Sequence, residues 1–132
     1  MAGTIVADTI QDGAGNSTSM DNAIYGSAKA WVRYLGASGT IQASYNVSSV
    51  TRSSTGVYTV NMTNAMSDTN YSVIAATSST ATSSGSGQSI LVFTDGSVNT
   101  ITPTTSAFGI MTAAYNYAAI RDSYYITAAV FR

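Results

Sequence analysis

The 132-residue chain contains no cysteine, no histidine and no glutamate. Without cysteine there are no disulfides and no thiolate metal sites. Without histidine the chain lacks the commonest metal ligand and the usual general base. Its charge is sparse: six aspartates, one lysine and four arginines make 8% charged residues and a formal net charge of −1. No basic field is available to neutralise a phosphate backbone, so nucleic acid is not expected as a partner. Long apolar runs are missing too. "ILVF" at 90–93 falls far short of the roughly 20 residues of a membrane helix, and the opening "MAGTIVADTIQDG" has no basic start and reaches Asp8 before any signal-like core. The expectation is a soluble protein with no membrane insertion.

What fills the chain is serine and threonine, close to a third of all residues, with nine tyrosines, 11 glycines and one proline. Disordered chains are poor in aromatic and β-branched residues, whereas this one is rich in both. Such a composition suits half-buried pleated sheet.

Alternation supports that reading. "TIQASYNV" (40–47) sets Ile41, Ala43, Tyr45 and Val47 against Gln42, Ser44 and Asn46. "GVYTVNM" (56–62) places Tyr58, Val60 and Met62 inside and Val57, Thr59 and Asn61 outside, and "NYSVIAAT" (70–77) puts Tyr71 and Val73 opposite Ile74. Turn residues separate these segments at 36–39, 52–56 and 67–70. "SSTATSSGSGQ" (78–88) reads as a long loop. Beyond it "SILVFT" suits a central strand, "DGS" (95–97) a turn, and "VNTIT" (98–102) a returning strand stopped by Pro103. Residues 105–115 are expected as a strand rather than a helix because of Gly109 and β-branched neighbours, with 116–122 as a loop. Short strands at near-regular spacing predict a sandwich or a barrel.

Two segments stand apart. In "AKAWVRYL" (28–35), Ala28, Ala30, Val32 and Tyr34 share one face while Lys29, Trp31, Arg33 and Leu35 share the other. The stems of both cations are expected against the Trp31 ring, at a sheet edge or across a subunit boundary. The closing "SYYITAAVFR" is apolar on both faces, which predicts a strand buried on both sides or lying at a subunit interface. Residues 1–26 offer little to pack locally and read as an extended arm that takes its order from a partner.

No constellation of side chains carries chemistry. The aspartates at 8, 12, 21, 68, 95 and 122 mostly sit in turn sequences, where they cap their own backbone. "DGAGN" (12–16) lacks the further acids of a calcium loop, and the serines have no base to form a triad. No catalytic residue, metal or cofactor is expected. Tyrosine among serine, threonine and asparagine is the palette of sugar recognition. Tyrosine is also an ordinary strand former; where it serves recognition instead, Tyr115 and Tyr117, with the loops at 36–39, 78–88 and 116–122, are the candidates for glycan contact.

Over 26–73, "AKAWV" and its glycine-rich turn, "I-x-A-S-Y-N-V-S-S-V", "G-x-Y-T-V-N-M" and "A-M-x-D-x-N-Y" occur in succession. The stretch resembles the C-terminal domain of many tail-fibre and virion proteins of tailed bacteriophages, especially short-tailed and marine ones. "VADTIQDGAGN", "TTSAFGI" and "YYITAAVFR" are similar to the lead-in and closing strands of such fibres, while Ser67 stands where these domains commonly carry proline.

The resemblance implies an all-β, antiparallel, jelly-roll-like β-sandwich over 27–132 with an extended N-terminal arm over 1–26, forming a homotrimer on the virion without enzymatic activity. Because the likeness spans nearly the whole chain, no room for a shaft is expected. Two placements follow. One is a short tail-fibre-like protein attached to other virion proteins through Ile5, Val6 and Ile10, with Trp31, Tyr125 and Phe131 at the trimer interface and contact to host surface glycan. The other is a head decoration, cement or head-fibre protein that clasps capsid subunits with the same arm. A glycan-cleaving spike and a free lectin-like module are the competing classes.

Overall fold

The computed structural model describes residues 3, 6–78, 88–93, 102–114 and 119–132. A small hairpin of β1 (Thr9–Gln11) and β2 (Ser17–Ser19) leads directly into α1 (Met20–Gly26). Among the described residues eight strands then form the body: β3 (Ala30–Leu35), β4 (Ile41–Tyr45), β5 (Val47–Ser54), β6 (Val57–Met62), β7 (Ser72–Thr77), β8 (Gln88–Val92), β9 (Ala107–Ala114) and β10 (Tyr125–Phe131). They make two antiparallel four-stranded sheets, ordered β4-β3-β10-β7 and β5-β6-β9-β8. The hairpins β3-β4, β5-β6 and β8-β9 are joined by crossings from one sheet to the other. The first and last strands of the body lie side by side, with Ala128 opposite Val32.

Alternation dictates the core. Ala30, Val32 and Tyr34 from β3 and Ile126, Ala128 and Val130 from β10 meet Tyr58, Val60 and Met62 from β6 and Phe108 and Ile110 from β9. Tyr34 and Tyr58 pack edge to face at 5.3 Å between ring centroids, and Tyr71 makes similar contacts with Phe93 and Phe108. The strand expected over 105–115 is present as β9; of the loop expected over 116–122, residues 116–118 lie outside the described residues, Ile120 bridges to Ala113, and Arg121 and Asp122 have non-strand backbone.

Several expectations require correction. The single strand expected over 40–47 is two strands in different sheets, because the chain turns the corner at Asn46, which has φ of 54°. The corner is fastened by the Asn46 amide, which donates to the Lys29 and Asn64 carbonyls at 3.1 and 3.2 Å and accepts from the Asn64 N–H at 2.7 Å. Tyr45, expected to face inward, is exposed, because its row lies on the outer side of the sheet. Residues 52–54, expected in a turn, belong to β5, and the turn itself is confined to Thr55 and Gly56. Val57, expected outside, is buried: it stands opposite Met111, on a face where Ile120 bridges to Ala113. The run at 89–94, expected in a sheet centre, is β8 (Gln88–Val92), which pairs only with β9 among the described residues and lies at the edge of their sheet.

The N-terminal segment also has local order. Asp12 accepts from the Ala14 and Asn16 N–H groups, both at 2.9 Å, shaping the turn between β1 and β2. Ser19 caps α1 by accepting from the Asn22 N–H at 3.2 Å, and Asp21 occupies the first turn, where negative charge is favourable. The turn at 95–97, residues 98–101 of the returning strand and the loop expected over 78–88, apart from its two end residues, lie outside the described residues.

Truncating Ile110 or Ile126 to alanine is expected to destabilise the protein by about 2–5 kcal/mol, read from urea unfolding. Ile74→Ala, at a residue of the same type that is 66% exposed, should change the stability of the dilute chain by less than about 0.5 kcal/mol.

Candidate functional site

Outward-pointing residues of the sheet β4-β3-β10-β7 form two ordered rows. Strand register places Tyr45, Trp31, Ala129 and Ile74 in one row and Ala43, Arg33, Thr127 and Ala76 in the next. Short side chains at Ala129, Thr127 and Ala76 make a floor between taller walls at Trp31 and Ile74. The result is a shallow groove of about 300 Å³. Trp31 is 41% exposed and Tyr45 59%, an unusually apolar surface for the outside of a sheet.

The three residues expected at a subunit interface, Trp31, Tyr125 and Phe131, all fall on this outer face, since Tyr125 and Phe131 alternate with the buried Ile126, Ala128 and Val130. The cations are arranged differently from expectation. Arg33 lies over the Tyr125 ring, 4.1 Å from its centroid, rather than against Trp31. Lys29 reaches back to the Ile24 carbonyl at the end of α1. The physical reason is register: Tyr125 faces Leu35, one outward position beyond Arg33, so the long guanidinium stem spans to it. Nor is β3 an edge strand, since it has partners on both sides.

The end of the sandwich where β3 leaves and β10 begins is closed by a polar knot. The Asp122 carboxylate accepts from Arg52 Nε at 3.0 Å and Nη2 at 2.7 Å, from the Gly56 N–H at 2.7 Å and from the Tyr58 hydroxyl at 2.7 Å. Thr112 Oγ1 donates to the Arg121 carbonyl at 2.6 Å. Gly36 sits so close that a Cβ there would lie 2.1 Å from the Ser123 carbonyl oxygen. Two of the loops nominated for glycan contact, 36–39 and the described part of 116–122, are thus brought together, but as a packed plug rather than an open pocket. Burial would raise the Asp122 pKa, yet the donors from Arg52, Gly56 and Tyr58 outweigh it and hold the carboxyl below the usual aspartate range. Burial, and secondarily the Asp122 contact, pushes the Tyr58 phenol up, while burial and then Tyr58 push up Tyr34.

At the opposite end, where the chain enters β3, a second cleft of about 350 Å³ is lined by Lys29, Tyr45, Asn46, Asn64, Ser67 and Arg132. Arg132 there forms an ion pair with Asp68. Val6 is 94% exposed and Ile10 50%, and α1 has no buried residue. Ile5, Tyr115 and Tyr117 lie outside the described residues. Sequence reasoning missed the Arg52–Asp122 pair, because 70 positions separate the partners and neither occurs in a local motif.

No protein-family model matches the chain, and no curated protein matches it. Among solved structures, the chain is similar to part of the phiAB6 tailspike, solved in complex with three-repeated oligosaccharides of Acinetobacter baumannii surface polysaccharide. The fold recurs in a phage tailspike. The two are 18% identical with a TM-score of 0.52 over 93% of this chain, which spans 22% of the tailspike chain. At that identity the likeness is one of fold.

Asp122→Asn is expected to lower stability at neutral pH by about 1–3 kcal/mol, because it removes the charge that receives buried donors. Since the folded-state pKa of Asp122 is depressed, its contribution is fully present above the unfolded value, near about 3.9, and is lost as pH falls through the folded value. Urea midpoints measured between pH 7 and 2 should therefore fall more steeply below about pH 4 in the parent than in the variant.

Proposed function

We propose that this chain is a non-enzymatic structural protein of a bacteriophage virion. In this reading it is a short, trimeric, tail-fibre-like protein attached through residues 1–26 and contacting host surface glycan at its far end. The observation that carries the reading is the polarity of the sandwich. The N-terminal hairpin and α1 join the body at one end through Ser27–Lys29, while the turn at 36–39, the β5-β6 turn and residues 119–124 gather at the other. A protein held at one end and presenting loops at the other is built for attachment and contact.

Three further features support it. The fold is shared with part of a tailspike whose structure holds bound oligosaccharide. Trp31, Tyr125 and Phe131 share one outward, apolar face suited to subunit packing. Asp12, Asp68 and Asp122 are occupied as structural acceptors, which favours binding over hydrolysis. The virion is the corresponding location, with other virion proteins as partners of Val6 and Ile10.

Gold-labelled antibody against the chain should decorate the tail of purified particles. Labelling of the head would replace this reading with head decoration, and absence from particles would end both. The purified protein should sediment with about three times its 13.6 kDa chain mass. Incubation with host polysaccharide should leave chain lengths unchanged, and shortened chains would establish an enzyme instead.

A further inference from the structure

We infer that the subunits are joined by exchange of α1: the helix of one copy lies in the outer-sheet groove of the next. This deepens the trimer part of the proposed function and rests on it.

Charge is divided unevenly along the chain. Residues 1–26 carry Asp8, Asp12 and Asp21 and no cation, a formal −3, while residues 27–132 carry all five cations and three aspartates, a formal +2, together the −1 of the whole. Within the body, Asp122 is taken by Arg52 and Asp68 by Arg132. No described carboxylate forms an ion pair with Arg33, which stands at the groove wall.

The helix offers the complementary face. Asp21, Ile24 and Tyr25 stand at i, i+3 and i+4, so they project together. Ile24 is 48% exposed and Tyr25 65%. The groove offers matching parts in the same combination: apolar walls at Trp31 and Ile74, a floor of Ala76 and Ala129, and the cation of Arg33. An apolar helix face seated in an apolar groove, with one acid aimed at one base, is a recurring mode of recognition.

The donor of the helix is a second copy rather than the same chain. Only Ser27–Lys29 separate α1 from β3, and Trp31 follows within two residues, so α1 would have to reverse at once to reach its own groove. Ser27 is extended, with φ of −85° and ψ of 137°, and Lys29 holds the helix end through the Ile24 carbonyl. A contact between two different surfaces of identical subunits is head-to-tail, and it closes into a ring when the rotation permits.

The native chain has no cysteine, so engineered thiols report without background. Full-length chains carrying Ile24→Cys with one affinity tag are mixed with chains carrying Ile74→Cys with another, then oxidised. A disulfide joining the two differently tagged chains is expected. The full-length double variant Ile24→Asp/Tyr25→Ala, altered only at exposed positions, should keep the parent unfolding midpoint at low protein concentration and weaken association at least about tenfold in sedimentation velocity. Raising salt should weaken the parent's association, but not that of the same chain carrying Asp21→Asn, to a comparable degree. If the double variant associates as tightly as the parent, or no inter-chain disulfide forms, the helix exchange is wrong while a trimer held by other contacts stands. A parent chain that stays monomeric at every concentration removes both the exchange and the trimer, and particle labelling remains an independent measure of virion location.

Discussion

Two sheets pressed together by apolar contact alone can slide, since that attraction has little direction. What fixes them at the loop end is the Asp122 carboxylate. It receives donors from β5, from the β5-β6 turn and from β6, while its own segment leads into β10 of the other sheet. Close approach at Gly36 depends on this arrangement, as does the packing of Tyr34 against Tyr58. In a chain with so few charges, one half-buried acid ties the two sheets together at this end. At the other end the Asn46 side chain does similar work with neutral groups, binding the start of β3 to the backbone beyond β6.

Elements with strict alternation and one greasy face were legible from residues alone. β3 and β6 are such cases: the buried set Ala30, Val32, Tyr34, Tyr58 and Val60 follows from period two, whereas β10, apolar on both faces, did not reveal that Ile126, Ala128 and Val130 point inward. The corner at Asn46 was hidden because alternation runs unbroken through Tyr45, Asn46 and Val47 while the backbone changes sheet. β5 was hidden for the opposite reason, since "VSSVTRSS" at a sheet edge has no consistently apolar face to betray it. The helix at 20–26 buries nothing and therefore left no periodic trace beyond its Ser19 cap. For the candidate surface, the apolar outer face of β10 was readable, but the groove was not, because it is assembled from β3, β7 and β10 across register.

The outer face of the sheet β4-β3-β10-β7 is the least ordinary surface of this sandwich. Two-faced burial is ordinary for a central strand in a layered fold, where another layer covers each side. Here β10 is central and its inward side is covered, yet no described segment covers its outward side over Trp31, Ala129 and Ile74. The same chain carries a helix, α1, none of whose own residues is buried.

The adjacency of β3 and β10 carries a consequence for how such a unit is used. Because Lys29 N–H bonds to the Val130 carbonyl at 2.7 Å, the body's entry and exit lie next to one another. A unit whose two connections leave from the same spot can be grafted onto the end of a carrier, or spliced into a carrier's loop, without moving the opposite end. The Asp122 plug stays fixed at that opposite end, while exposed turn residues around it, such as Ser38 and Thr55, lie far from the seam and can change without disturbing the join.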